Sequence, residues 1–388
     1  MAGTVNPLDL AWRPRAAALA EQLPDRRWRD AVAALPRHLL VPRWWEDRPC
    51  RPVWNLRDGP ADPERWLEVA YQDQTVITRV GAVHADHATE SQPSTCRPTS
   101  SSTLPGLVTR MLSELDLQPG QRVLDIATGS GYSAGLLAHR LGGGRVLSLD
   151  VDPYLVQAAT ERLDRIGLHP DIRAVDATGP LPETGFDAAV AMFSTRAVPP
   201  SWLAALRPGG RLVTTVAGTS LLLTLTADGR GGASGRVLPD PANFMPARTG
   251  PDYPSRLPEG YRQAREGTGD EVRTGTRPIP DWWSEWQLTT LFELAAPDCE
   301  MRTEAGTLWL FHRDGSWVRA RAADGQLPEV HQAGPRRLWD EFEDAVGRWE
   351  RAGRFDLWDL RVTVTPAEGT RLHLGPDPAE AAWTQRLD

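Results

Sequence analysis

The middle of this chain predicts a doubly wound α/β domain, and three observations carry the prediction. Short apolar runs recur at regular intervals, an amphipathic helical stretch separates two of them, and one run ends in a glycine turn that opens a helix. The runs are Gln121–Ala127, Arg145–Asp150, Ile172–Ala177, Ala188–Ser194 and Arg211–Val216. Their near-continuous apolar character suits parallel strands buried on both faces. Between the second and third, Tyr154–Ile166 places Leu155, Ala159, Leu163 and Ile166 on one helical face. Strands alternating with helices imply right-handed βαβ units. The glycine turn lies in Val123-Leu-Asp-Ile-Ala-Thr-Gly-Ser-Gly-Tyr132.

Either side of this block the patterning changes. Residues 1–104 are irregular and rich in Pro, Arg and Trp, with one clear helical stretch at Trp28–Leu35 and a Ser/Thr/Pro cluster at Ser91–Thr103. The α/β domain is expected over 105–250, with Leu221–Thr226 as an antiparallel addition at its edge and Gly229–Gly235 as a flexible turn. Residues 251–288 carry the Pro, Gly and Arg of a linker or lid. From 289 to 388 the chain reads as an additional, separate C-terminal α+β domain. Thr307–His312 and Trp317–Arg321 form a hairpin, Asp340–Arg351 a helix with its acids early and its arginines late, and Arg361–Thr365 and Thr370–Leu374 a last strand pair.

Composition narrows the function classes. With 388 residues, 40% of them hydrophobic, the chain can bury a large core. A net charge of −8 argues against duplex nucleic acid as a partner, because phosphate binding needs a basic surface. All 43 basic residues are arginine. No apolar run approaches the ~20 residues of a membrane span, and the N-terminus lacks a signal peptide's apolar centre, so a soluble cytoplasmic protein, most simply a monomer, is expected. Cys50, Cys96 and Cys299 are too scattered for a disulfide framework or a zinc site.

Glycines at 129 and 131 let backbone approach a ligand, and the helix N-terminus behind them offers free N–H groups. The same device serves NAD and S-adenosylmethionine. Three details favour the latter. Ala134 stands where a dinucleotide fingerprint has its third glycine; Asp125 sits where it can hold the amino-acid end of the ligand; Asp176 closes the third strand where an adenine amino group would lie. Asp150, ending the second strand, can accept both ribose hydroxyls of either ligand. The cofactor set is therefore Asp125, Ala127, Thr128, Gly129, Ser130, Gly131, Tyr132, Asp150, Val151, Asp176 and Ala177.

The string DIATGSGY, then SLDVD, then GFDAAVAMFSTRAVPPSWLAALRPGGRLV resembles the protein-L-isoaspartate O-methyltransferase family. Leu35-Pro-Arg-His-Leu-Leu-Val-Pro-Arg43 and Ala70-Tyr-Gln-Asp73 resemble that family's upstream elements, and the likeness covers roughly residues 27–250. It implies a class I S-adenosylmethionine-dependent, Rossmann-like methyltransferase acting on a carboxylate. Three departures stand out. Ala127 replaces the family's usual glycine. Thr103-Leu-Pro105 takes the place of its Ser-x-Pro, with Ser91-Gln-Pro93 too far upstream. The chain also runs some 140 residues past Phe244-Met-Pro-Ala-Arg248, near which repair enzymes of the family end. That layout resembles the actinobacterial branch that methylates an aspartate of lanthipeptide and graspetide precursors, already cyclised, en route to aspartimide or isoaspartate.

A carboxylate is ionised at neutral pH, so methyl transfer to it needs no general base. Alignment is what remains, and the residues expected to supply it are Thr103, Ser102 and Asp73. His84-Ala-Asp-His87 lacks a third ligand and is read as a loop or acceptor contact, so no metal is expected. Trp44, Trp45, Trp54, Trp66, Trp282, Trp283 and Trp286 fit core packing or a peptide groove. The N-terminal segment and the C-terminal domain are candidates for gripping a precursor peptide. A general isoaspartyl repair enzyme, a non-catalytic S-adenosylmethionine-binding module and an NAD-dependent oxidoreductase are the alternatives.

Overall fold

A computed structural model of the chain describes residues 7–48, 51–93, 96–248, 250, 253, 258–282, 284–322 and 326–388. Cys50 and Trp283, and parts of the expected linker, lie outside the described residues.

The centre is a ten-stranded sheet. Its strands in chain order are β1 (Val123–Ile126), β2 (Val146–Asp150), β3 (Asp171–Ala174), β4 (Phe186–Thr195), β5 (Leu206–Val216), β6 (Leu222–Ala227), β7 (Ala233–Val237), β8 (Leu360–Thr365), β9 (Gly369–Leu374) and β10 (Thr384–Leu387). Across the sheet they run β3-β2-β1-β4-β5-β6-β7-β8-β9-β10. The first five are mutually parallel and the rest antiparallel. Every residue of β1 and β2 is buried, as their apolar runs predict for strands covered on both faces. Helices α1 (Pro105–Glu114), α2 (Tyr132–Leu141), α3 (Pro153–Asp164) and α4 (Pro200–Ala205) supply the covering layers, joined by α5 (Trp286–Ala295) and α6 (Leu338–Arg351). α3 starts where its sequence says it should. Asp152 accepts the Tyr154 N–H at 3.1 Å, Pro153 occupies the first turn, and Leu155, Ala159 and Leu163 turn inward.

The structure redraws the outer domains. The final strand pair does not belong to a separate unit: β8 pairs with β7, carrying the sheet on through β9 and β10. Gly229–Gly235, expected as a turn, runs into β7, so β6 is an internal strand. The separate module is instead an insertion between β7 and β8. It is a five-stranded antiparallel sheet whose strands are Glu271–Thr274, Glu329–Ala333, Trp317–Arg321, Thr307–Phe311 and Glu300–Glu304. Helix Pro258–Glu266 covers one face of it and α5 with α6 the other. The expected linker thus contributes a helix and an edge strand. The described residues among the first hundred also form more regular structure than their composition suggests. Helix Pro7–Gln22 buries Trp12, Ala16 and Leu19, and a six-stranded antiparallel sheet includes Arg43–Arg48, Arg51–Asp58, Val76–Val80 and Pro98–Ser102. Trp44, Trp45, Trp66 and Trp282 are buried in cores, and Trp286 stacks on Trp358 with ring centres 4.3 Å apart. No helix among the described residues is long and apolar enough to cross a membrane.

Candidate active site

A cleft opens at the C-terminal ends of the parallel strands, where open α/β sheets place their ligands. One wall is the glycine turn with the tips of β2 and β3. The other is the segment Thr99–Leu104 with the start of α1. Met192 and Phe193 of β4 form the floor, and Asn243–Arg248 with Tyr253 the roof.

On the first wall the turn is held by β2. Asp150 accepts the Gly129 N–H at 2.9 Å through Oδ2 and the Asp152 N–H at 3.0 Å through Oδ1. Its carboxyl is pushed up chiefly by burial, against those two backbone donors. Gly129 has φ +53°, and a Cβ there would lie 3.2 Å from the Ser101 carbonyl on the facing wall. Gly131 is absent from the lining. It heads α2 at φ +85°, and a Cβ on it would sit 3.1 Å from Ala159 Cβ, so it serves the packing of α2 on α3. Ala127 adopts φ +71°, a conformation that favours glycine. Asp176, Ala177 and Val151 line the cleft; Asp176 Oδ1 accepts the Thr178 N–H at 2.9 Å and its hydroxyl at 2.6 Å. Trp202, fully buried on α4, donates to the Ala177 carbonyl at 2.7 Å and fixes this loop from behind.

Asp125 lies behind the wall, 0% exposed. Its Oδ2 accepts from Ser148 at 2.7 Å and Ser133 at 3.1 Å, and Ser148 is 2.6 Å from the Thr128 hydroxyl. Its Oδ1 has no hydrogen-bond partner among the described residues. Burial pushes this carboxyl up to about 7, opposed by the two serines. Asp125 therefore reaches a ligand only through Ser133, Thr128 and its own charge.

The wall facing the glycine turn, where the sequence places the acceptor, is organised by a residue to which the sequence assigns no role. Arg37 is 1% exposed. Its guanidinium donates to the carbonyls of Ala70 (2.9 Å), Gln72 (3.3 Å), Gln74 (3.0 Å), Ser102 (3.1 Å) and Thr103 (3.2 Å), and Nε donates to Ser102 Oγ at 3.3 Å. It also lies 5.2 Å from the centre of the Tyr132 ring, which belongs to the opposite wall. One cation thus ties four stretches of chain together. An arginine and a histidine set side by side between Leu35-Pro36 and Leu39-Leu-Val41 were the available signal.

Of the three residues expected to align the acceptor, the structure puts one in the cleft. Thr103 lines it, and its hydroxyl makes no hydrogen bond to another described residue. Ser102 faces the other way and is spent on Arg37; Ser100 and Ser101 take its place. Strand alternation puts Ser101 and Thr103 on the cleft side and Ser102 on the other, and the irregular pairing of Ser100 and Ser101 with Arg79 and Ile77 lets Ser100 reach the lining as well. Asp73 is outside the lining as well: its Oδ1 accepts the Gly106 N–H at 2.6 Å, and a Cβ on Gly106 would sit 2.4 Å from Oδ2. It caps the helix that begins just after Thr103. Thr75, whose hydroxyl accepts the Leu104 N–H at 3.3 Å, and the roof residues were missed, because nothing local marks them.

His84-Ala-Asp-His87 is a clamp onto α3. His84 Nε2 lies 3.0 Å from Asp152 Oδ2, Asp86 accepts from Tyr154 (2.8 Å) and Arg162 (2.6 Å), and His87 packs on Tyr154. Arg79 and Arg248 approach the same Asp152 oxygen at 3.6 and 3.7 Å. Against burial, which would raise it, His84, then Arg79 and the Tyr154 N–H, hold the Asp152 carboxyl down at about 2. No cluster able to hold a metal occurs among the described residues.

The residues present fit a nucleoside bearing a cationic amino-acid tail. Asp150 is fixed by two backbone donors with lone pairs left over, a Cβ-free approach exists at Gly129, and an orphaned carboxylate oxygen lies just behind the turn.

Comparison with known proteins agrees. Residues 79–232 match the family described as protein-L-isoaspartate(D-aspartate) O-methyltransferase. A curated protein-L-isoaspartate O-methyltransferase of Aeropyrum pernix is 32% identical over 214 residues, 53% of this chain and 67% of that one. Protein-L-isoaspartate O-methyltransferase 1 of Syntrophobacter fumaroxidans is 35% identical over 194 residues, 50% and 72% respectively. The chain thus spans about two thirds of the length of such relatives. A solved structure named protein-L-isoaspartate O-methyltransferase shares the fold at 17% identity and a TM-score of 0.52, covering 94% of this chain and 100% of that one. That likeness of fold continues past Phe244–Arg248, near which repair enzymes of the family were expected to end. By sequence, with a fold that agrees, the chain belongs to the protein-L-isoaspartate(D-aspartate) O-methyltransferase family.

Proposed function

We propose that this protein transfers a methyl group from S-adenosylmethionine to the carboxylate of an isoaspartyl or aspartyl residue in a polypeptide. The observation that carries the reading is the pairing of walls: a nucleoside-shaped cradle at Asp150, Gly129 and Asp176 faces an unengaged hydroxyl at Thr103 across one cleft. When bound, S-adenosylmethionine supplies a methyl group already activated on a sulfonium. The chain's own work is placement. Asp150 and Asp176 orient the nucleoside, while Thr103, presented by Arg37 and the Asp73-capped helix, donates to the acceptor carboxylate. The carboxylate needs no base, and holding the reactants in register accounts for roughly 7–11 kcal/mol of such barriers.

A second, finer reading is a conformationally constrained precursor peptide as acceptor, with the ester closing to an aspartimide. Thr103 favours it: the extra methyl narrows and stiffens the acceptor wall where the family has serine.

Mass spectrometry of peptides incubated with protein and S-adenosylmethionine tests both. A gain of one methylene on a linear isoaspartyl peptide supports the first reading. A gain confined to a cyclised aspartyl peptide, followed by net loss of water, supports the second. Cofactor binding with no transfer to either peptide would leave only the binding-module alternative.

A further inference from the structure

The two halves of the central sheet are dressed differently. Around β1, β2, β4 and β5 both faces are covered, whereas β6–β10 carry α5 and α6 on one face and present side chains to solvent on the other. That bare face is basic. Arg236 of β7 stands directly opposite Arg361 of β8, and Arg371 of β9 opposite Arg386 of β10. Like charges opposed across strands cost stability. The outer pair has relief: Glu368 lies 3.3 Å from Arg371, and Asp388 2.8 Å from Arg386. Arg211 on β5 has Asp116 at 3.8 Å. Arg236 and Arg361 are exposed, and among the described residues neither has a carboxylate within 4 Å.

Their neighbours are hydroxyls. Thr224 continues the row on one side and His373 on the other, with Ser234 opposite Thr363 in the next row. His373 offers no counter-charge; burial, then Arg361 and Arg371, hold its pKa below the usual histidine value. Glu114 is the one acid lining this shallow groove, and it lies 3.5 Å from Arg110. In a chain of net charge −8, two adjacent guanidinium groups without counterions form an arrangement that an anionic ligand completes.

We infer that this face binds an acidic stretch of the substrate polypeptide, its carboxylates on Arg236 and Arg361 and its polar atoms against the flanking hydroxyls. The inference rests on the polypeptide acceptor proposed above and adds a charge requirement to it. Position supports it. α1 packs on this same side of the sheet: its N-terminus follows Thr103, and the carbonyl of Glu114, its last residue, accepts from Arg211 at 3.1 Å. Ten helical residues span about 15 Å, which about five extended residues cover. A chain seated on the basic face can therefore reach the cleft along α1.

The test uses the full chain and a fluorescent Asp/Glu-rich peptide without isoaspartate, against the same peptide with Gln/Asn. Anisotropy should show binding of the acidic peptide alone, weakening with salt and falling at least about tenfold in the Arg236→Gln/Arg361→Gln double variant. That variant should melt no lower than the parent, since it removes a like-charge contact. It should also methylate a short isoaspartyl peptide as the parent does, while losing the KM advantage conferred by an acidic extension placed five or more residues away. Equal binding to both proteins, no binding to either, or displacement by a single-stranded oligonucleotide at lower concentration than by free acidic peptide overturns the inference. Failure of methyl transfer to every peptide overturns the proposed function and leaves the anisotropy result to decide this face.

Discussion

The two walls of the cleft are built in opposite ways. The nucleoside wall comes from one contiguous stretch: strand, glycine turn and helix follow each other within Val123–Leu141, and the carboxylates at 150 and 176 stand on the next two strand tips. The acceptor wall is assembled from segments around residues 37, 70–75 and 99–106, joined by a buried cation and a capping carboxylate. A wall made of local backbone geometry tolerates change at a distance. One hung on a single side chain does not.

The largest expected effect therefore lies at Arg37. Arg37→Met keeps the volume but leaves the Ala70, Ser102 and Thr103 carbonyls without their donor, and should cost about 3–5 kcal/mol in chemical denaturation. Arg37→Lys should recover little, because an ammonium cannot fork to five carbonyls. Under conditions where the variant is folded, S-adenosylmethionine affinity should change only a few-fold. A collapse of cofactor binding would show that the walls are one unit.

Asp125 supplies the next effect, in the other wall. Its carboxyl is pushed up to about 7 in the folded chain, above an unfolded value near 4. The unfolded state thus holds fewer protons between those values, so stability falls as pH rises from about 4 to about 7 and stays lowered beyond. Asp125→Asn removes that penalty. It should be neutral below pH ~4 and stabilising by roughly 4 kcal/mol above pH ~7 in thermal or denaturant melts. Cofactor affinity should move oppositely: rising through pH ~7 in the parent, where a cationic ligand favours the ionised carboxylate, and flat in the variant. A pH-independent stability difference would contradict the assignment.

This contrast also explains what the sequence disclosed. The parallel strands, the glycine turn and Asp150 were legible because each is specified by its immediate neighbours: apolar runs, positive φ, a strand tip. Ser102 and Ser101 could not be told apart, since which of two adjacent serines faces a cleft depends on the register of their strand against Val76–Val80 and on a buried arginine sixty-five positions away that takes up Ser102. Asp73 was given an alignment role yet acts on a helix terminus. The C-terminal strands were recognised as strands, but β8 joining β7 is a long-range pairing across an insertion of more than a hundred residues, which periodicity does not encode.

Two smaller effects sharpen the comparison further. Asp150→Ala frees the Gly129 and Asp152 N–H groups and removes the proposed ribose acceptor, so cofactor affinity measured by calorimetry should fall by about 2–3 kcal/mol, near a hundredfold, with the KM for peptide little altered. Thr103→Ala should lower kcat by about 1–2 kcal/mol with cofactor affinity unchanged, and Thr103→Ser should restore it. Full turnover by the alanine variant would remove Thr103 from the site.

The smallest effect belongs to Ala127, and its sign is informative. Ala127 holds φ +71° with its N–H donating to the Leu149 carbonyl at 2.7 Å, so the turn is fixed although its residue disfavours the conformation by roughly 1–2 kcal/mol. Glycine relieves that strain but loosens the unfolded chain by about 0.5–1 kcal/mol. Ala127→Gly should therefore leave the protein equally stable or more stable by up to about 1 kcal/mol, read as a small rise in melting temperature. A loss of stability would mean that the alanine methyl makes packing contacts worth more than the strain. The nucleoside wall would then depend on a side chain after all, as the acceptor wall does.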